Sequence, residues 1–260
     1  MPSERVAQRR FVAACTLLFA LSATATVLGT TSMPMRGMTM PGGWTMSMTW
    51  MRMPGQNACG FVAMFMGMWI VMTVAMMLPS LAPVLWRQRV AAIHAGASRT
   101  DRSMLLAAAG YLFVWSLCGL PVFALGVLLA SIAMHSPGLA RAAPLAAGVV
   151  VVLAGALQFS RWKARHLACC RPASACTCMP DEPASAWWQG VRFGLRCCQC
   201  CAGLTATLLV AGVMDLPAMA LVTLAITAER LAPDGRRVAR TVGIVLVGAG
   251  TLLLVQAGGA

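Results

Sequence analysis

Six stretches of this chain are long and apolar enough to cross a bilayer, and that property limits what the rest can fold into. They cover residues 11–29, 58–86, 104–130, 142–159, 200–228 and 241–256. A membrane helix needs about 20 mostly apolar residues. Lipid offers the backbone no hydrogen-bond partner, so each stretch must close its own bonds as a helix. The expected fold is all-α, a polytopic transmembrane helical bundle of six spans. Charge agrees: only 10% of residues are Asp, Glu, Lys or Arg, against about 25% in soluble domains.

The stretch 200–228 is long for one crossing and contains "GVMDLP". Pro217 removes a backbone donor and Asp215 would place a carboxylate at membrane depth, so a kink or break is expected there. Two crossings of about 14 residues each would be short. Six spans are therefore expected, and seven is the alternative.

The net charge of +13 would suggest nucleic acid in a soluble protein. Here the arginines punctuate apolar runs, where they set orientation and meet lipid headgroups, so no nucleic-acid partner is expected. With the N-terminus inside, the cytoplasmic loops hold Arg87, Arg89, Arg99, Arg102, Arg161, Lys163, Arg165, Arg171, Arg192 and Arg196. Arg36, Arg52, Arg141, Arg230, Arg236, Arg237 and Arg240 would lie outside in the six-span arrangement. Seven spans would bring the last four inside. In either arrangement the loop after the first span is extracytoplasmic and the segment before residue 200 is cytoplasmic. The first span could also be a cleaved signal, since "SATAT" offers an A-x-A site.

The extracytoplasmic loop carries methionine in M-x-M pairs: Met33 and Met35, Met38 and Met40, Met46 and Met48, Met51 and Met53. Pro34, Pro41, Gly42, Gly43 and Pro54 deny it a regular helix. A thioether is soft and stays unprotonated near neutral pH, so such pairs select Cu(I) or Ag(I) over hard cations. It also survives an oxidising compartment, where free thiols would pair. The bland alternative is methionine as adaptable filler, but the loop lacks the Leu, Ile and Val that filler usage brings. The next span continues with Met64, Met68, Met72 and Met76 at four-residue spacing, a stripe on one helix face. With Met77 it either packs the bundle or lines a path through it.

The cytoplasmic side contributes thiols. Cys197, Cys198, Cys200 and Cys201 make two overlapping C-x-x-C pairs, a metal or redox signature in a reducing compartment. His166 and Cys170 are four apart and would share a helix face. A mixed His/Cys set suits Cu(I), with zinc the alternative. Cysteines used only for helix packing are the structural alternative. No phosphate-binding loop, nucleophile elbow or H-E-x-x-H is present, so an enzyme is not expected.

At these residues the chain resembles a bacterial family of predicted metal-binding integral membrane proteins, a domain of unknown function. The resemblance covers residues 69–230 and rests on "MWIVMTVAMMLPSLAP", "GYLFVW", "QFSRWKARHLACCRP" and "GLRCCQCC" followed by "GVMDL" and "ER". It implies that Cys170, Cys197, Cys200 and Cys201 are family positions and that Cys198 is an addition. His166 stands where the family usually has Cys, Phe193 where a His is expected, and Asp215 where an Asn is expected. The resemblance implies a bacterial inner-membrane location, and the excess of arginines in the loops assigned to the inside sets the expectation of a cytoplasmic N-terminus.

The expected organisation is an N-terminal membrane helix (1–30), a Met-rich extracytoplasmic loop (31–57) and a metal-binding membrane domain (58–260) with a Cys-rich cytoplasmic loop (160–200). The expected function is binding a soft metal ion, Cu(I), and passing it across the membrane or to a metallochaperone or membrane metalloenzyme. Asp215 is a further candidate ligand. The alternative is a non-transporting assembly or scaffold subunit whose cysteines hold structural zinc. Thiol-disulfide exchange comes third.

Overall fold

A computed structural model describes residues 2–32, 38–41, 44–52, 55–94, 100–170 and 183–258. The helices are α1 (Pro2–Ser32), α2 (Ala58–His94), α3 (Thr100–His135), α4 (Pro137–Gln158), α5 (Arg161–Cys170), α6 (Pro183–Ala211), α7 (Leu216–Leu231) and α8 (Gly235–Gly258). All but α5 and α7 are long and apolar enough to cross a membrane, which gives the six expected. A two-residue ladder, β1 (Met38–Thr39) against β2 (Thr45–Met46), interrupts an otherwise helical chain.

Local chemistry sets the helix ends. Asn57 accepts a bond from the Gly60 amide at 2.7 Å ahead of α2, and Ser160 does the same for Lys163 at 3.0 Å in α5. Pro137 opens α4 immediately after Ser136, where an imino nitrogen costs no helix bond. Gly212 takes φ +121, a left-handed conformation open to glycine, and ends α6. Asp215 then caps α7 by accepting from the Ala218 amide at 2.7 Å, with Pro217 in the first turn.

The stretch expected as one crossing at 200–228 is therefore two antiparallel helices. α6 begins at Pro183 and α7 returns the chain over 16 residues. At 1.5 Å per residue α7 is roughly 24 Å long, short of the about 30 Å hydrocarbon core. Asp215 is exposed at the turn and bonded to backbone, not held inside the bundle as the sequence suggested.

Contacts fix the helix directions. α1 runs against α2, with Phe11 on Trp86 at 5.3 Å between ring centroids. Arg89 of α2 meets Asp101 of α3 at 2.9 Å. α6 runs parallel to α3, Gly190 lying on Ala107 and Gly194 on Tyr111 and Val114. Gln158 at the end of α4 bonds Glu229 near the end of α7. One end of the bundle thus gathers Arg5, Arg9 and Arg10, Arg87 and Arg89, Arg102, Arg161 and Arg165, and Arg236, Arg237 and Arg240. The other end carries Arg52 and Arg141 among the described arginines. Arg230, Arg236, Arg237 and Arg240, expected on the far side with six spans, lie with the basic end because the chain reverses at 212–215.

Helices α4 and α8 pack antiparallel along a glycine-lined seam. A Cβ on Gly155 would meet the Val247 amide nitrogen at 2.8 Å and the Gly243 carbonyl oxygen at 2.9 Å. Both are backbone atoms and cannot swing aside. Gly155→Ala should therefore push the helices apart and cost about 1–3 kcal/mol. A fall in the detergent melting temperature would show this, whereas Gly248→Ala, with open space around it, should leave the melt unchanged.

Candidate metal centre

The four clustered cysteines lie inside α6, not in a loop ahead of a helix. Gly190 and Gly194 let α6 close on α3, which brings Tyr111 against Cys197. Cys197 and Cys201 are one helical turn apart on the buried face. Cys197 interacts with Cys201, Cys201 with Cys200, and Cys200 with Cys170 at the end of α5. The result is a row of four sulfurs, Cys170–Cys200–Cys201–Cys197, none more than 2% exposed. Cys198 faces α3 instead, its sulfur 3.5 Å from that of Cys118. Every described cysteine is a free thiol.

Charge enters the row from α7. An Arg230 Nη2–H donates to Cys197 Sγ at 2.7 Å and lies 3.4 Å from Cys201 Sγ. Nη1 donates to Ser80 Oγ at 3.0 Å, while Nε has no partner among the described residues. The hydroxyl of Tyr111 sits 3.0 Å from Cys197 Sγ. A guanidinium stays charged inside a protein, and Arg230 is only 1% exposed.

The adjacent Glu229 does not neutralise it. The two do not pair, because neighbouring helix residues point in different directions. Glu229 Oε2 pairs with Lys163 Nζ at 2.7 Å, and Oε1 accepts from Gln158 Nε2 at 2.9 Å. Lys163 Nζ also donates to the Cys200 carbonyl oxygen at 2.7 Å, tying α5 to the cysteine turn. Burial alone would disfavour the Lys163 ammonium. The sulfur of Cys200 and the Glu229 carboxylate outweigh burial, and its pKa stands above the ordinary lysine value. Arg230 is thus left with sulfur for a counter-charge.

Other candidates are placed differently. His166 is half-buried and packs edge-on against Trp162 at 4.7 Å, away from the sulfur row. Among the described residues no three His, Cys, Asp or Glu side chains are disposed around one metal position. The row offers adjacent pairs of sulfurs instead. Met72, Met76 and Met77 are buried in the same core as Cys197, Cys200 and Cys201, with Met68 packed against it. Met64 is exposed, and its sulfur accepts from Gln56 Nε2 at 3.9 Å.

At the far end Met38 and Met46 are cross-strand partners. Met40 and Met46 are buried against Ala130 and Ala140, with Met51 alongside, while Met38 is exposed. Trp44 pins this segment by donating to the Ala140 carbonyl at 2.8 Å. Met48 opens a short 3₁₀ turn. Met33, Met35 and Met53 lie outside the described residues.

Tyr111, Ser80, Glu229 and Arg230 belong to this site but were not legible in the sequence as parts of it. The available signal was a lone tyrosine in an apolar run and charges flanking one.

Residues 66–253 match the family model PpoB2, described as copper chaperone. The chain belongs to this family. The PpoB2 match spans most of the chain and contains the α2 methionines from Met66 to Met77, the sulfur row, Lys163, Glu229 and Arg230, but neither α1 nor the Met33–Met53 segment. No curated protein and no solved structure matches the chain. Family membership ties the fold to copper handling; the residues that handle it must be argued from the geometry.

Proposed function

We propose that this protein sits in the bacterial inner membrane with its basic end in the cytoplasm, binds Cu(I) at the buried sulfur row, and passes it on. The positive-inside rule supports the orientation. The observation that carries the metal reading is a row of buried thiols facing a permanent cation. Two thiolates around one monovalent ion carry a net charge of minus one. Arg230 supplies the compensating plus one in a site where uncompensated charge is costly. A soft ion content with few sulfur ligands fits adjacent pairs, and Cu(I) is the physiological ion of that kind.

In this reading the Met33–Met53 segment collects or releases the ion outside, and Met72, Met76 and Met77 line the way between. Copper is cargo, exchanged with a metallochaperone or a membrane metalloenzyme. Cys170 closes the cytoplasmic end of the row; His166, packed on Trp162, and Cys198, turned toward Cys118, are only second-choice ligands. Asp215, bonded to backbone at the turn, takes no part.

The purified full chain, reduced anaerobically and loaded with Cu(I), should retain the ion through desalting. X-ray absorption should report sulfur neighbours alone, and Ag(I) should displace the ion where Zn(II) does not. Nitrogen or oxygen neighbours, or displacement by Zn(II), would refute the proposed ligand set.

A further inference from the structure

A second concave site lies at the basic end, with no cysteine among its lining residues. A cavity of about 360 Å³ opens between the end of α4, α5 and the start of α8. Arg161, Lys163, Arg165, Arg236 and Arg240 line it. The two nearby acids are already engaged: Glu229 with Lys163, and Asp234 with Arg237 at 2.8 Å. The side chains of Arg161, Arg165, Arg236 and Arg240 have no acid or hydrogen-bond partner among the described residues.

Four guanidiniums around one concavity repel one another unless an anion joins them. Planar forks of this kind suit phosphate oxygens. The location narrows the anion further. The cavity lies where α4 ends and α8 begins; Phe159 in its lining is 49% exposed, and Trp162, next to Arg161 in α5, is 42% exposed. Exposed aromatic rings next to arginines at a helix end match the headgroup layer of a bilayer, where basic pockets between membrane helices take lipid phosphates.

We infer that this cavity binds the phosphate of an anionic phospholipid, with Arg161, Arg236 and Arg240 as its principal contacts. The inference rests on the membrane location proposed above and is independent of copper. The bound lipid would seat α5 against α8, and α5 carries both Cys170 and the Lys163 bond to Cys200. Occupancy would then steady the cytoplasmic end of the sulfur row.

Native mass spectrometry of the full chain in detergent, titrated with phosphatidylglycerol, phosphatidylcholine or inorganic phosphate, tests this. The wild type should retain phosphatidylglycerol over phosphatidylcholine. Arg161→Gln/Arg236→Gln/Arg240→Gln should lose that preference by about tenfold or more. Arg5→Gln/Arg9→Gln/Arg10→Gln removes the same charge from the same end and should keep it. Equal losses in both triples would reduce the effect to general surface charge and overturn the inference. So would inorganic phosphate competing as well as the lipid does, which would mark a free-anion site. A protein that retains no lipid of any kind would sink the membrane location itself. The mutated arginines are exposed; should the triple variant not fold, Arg236→Gln/Arg240→Gln reads the same contrast.

Discussion

Arg230→Met should weaken Ag(I) or Cu(I) binding by roughly a hundredfold or more while sparing Cd(II), because breaking a buried charge pair costs about 3–5 kcal/mol. The guanidinium lies 2.7 Å from Cys197 Sγ and its neighbouring acid is taken by Lys163. A monovalent ion held by two thiolates leaves a surplus negative charge that Arg230 balances. A divalent ion held by the same two thiolates is already neutral and gains nothing from the arginine. Arg230→Lys keeps the charge but loses the two-pronged reach to Ser80 and Cys197, so its effect should be intermediate. Competition titration with both metals gives the ratio directly. A ratio unchanged in Arg230→Met, with the protein still helical, would show that the arginine only packs.

Glu229→Leu should be the most destabilising single change, by about 3–5 kcal/mol, since it strands a buried lysine. Lys163 and Glu229 are both almost fully buried and pair at 2.7 Å. Removing both charges in Lys163→Met/Glu229→Leu should recover most of the loss, because the desolvation cost disappears with the pair. The double variant still lacks the Lys163 bond to the Cys200 carbonyl. It should therefore melt near the wild type yet label faster at Cys170 and Cys200 with a thiol reagent, as α5 loosens from α6. A double variant as unstable as Glu229→Leu would mean that α5 is held by something other than this pair.

The long helices were legible because runs of about 20 apolar residues have the length and composition of membrane-crossing helices. The break at Asp215 and Pro217 was legible too, since both residues belong at a helix start. Its consequence was not. Gln189, Arg192 and Arg196 dilute the hydropathy of 183–199, so α6 read as beginning at the cysteines and α7 as its continuation. That one reversal carries Arg230 from the far face to the sulfur of Cys197. The clustered cysteines suggested soft-metal chemistry, but the contacts around them join residues 33, 86 and 150 positions apart in the chain, Cys197–Arg230, Tyr111–Cys197 and Ser80–Arg230. No local pattern encodes such pairings. The methionines show the opposite case: their softness is plain from the sequence, whereas burial of Met40 and Met46 against α3 and α4 makes them packing residues as well.

The most direct measurement is the copper content of the purified full chain with Cys197, Cys200 and Cys201 changed together to serine. Serine preserves size and helix but removes every sulfur of α6 that joins the row. The wild type should carry stoichiometric copper and the triple variant only background copper, with unchanged helical circular dichroism and faster proteolysis between α5 and α6. Full copper content in the triple variant, with the same protease pattern, would rule out the sulfur row as the copper site.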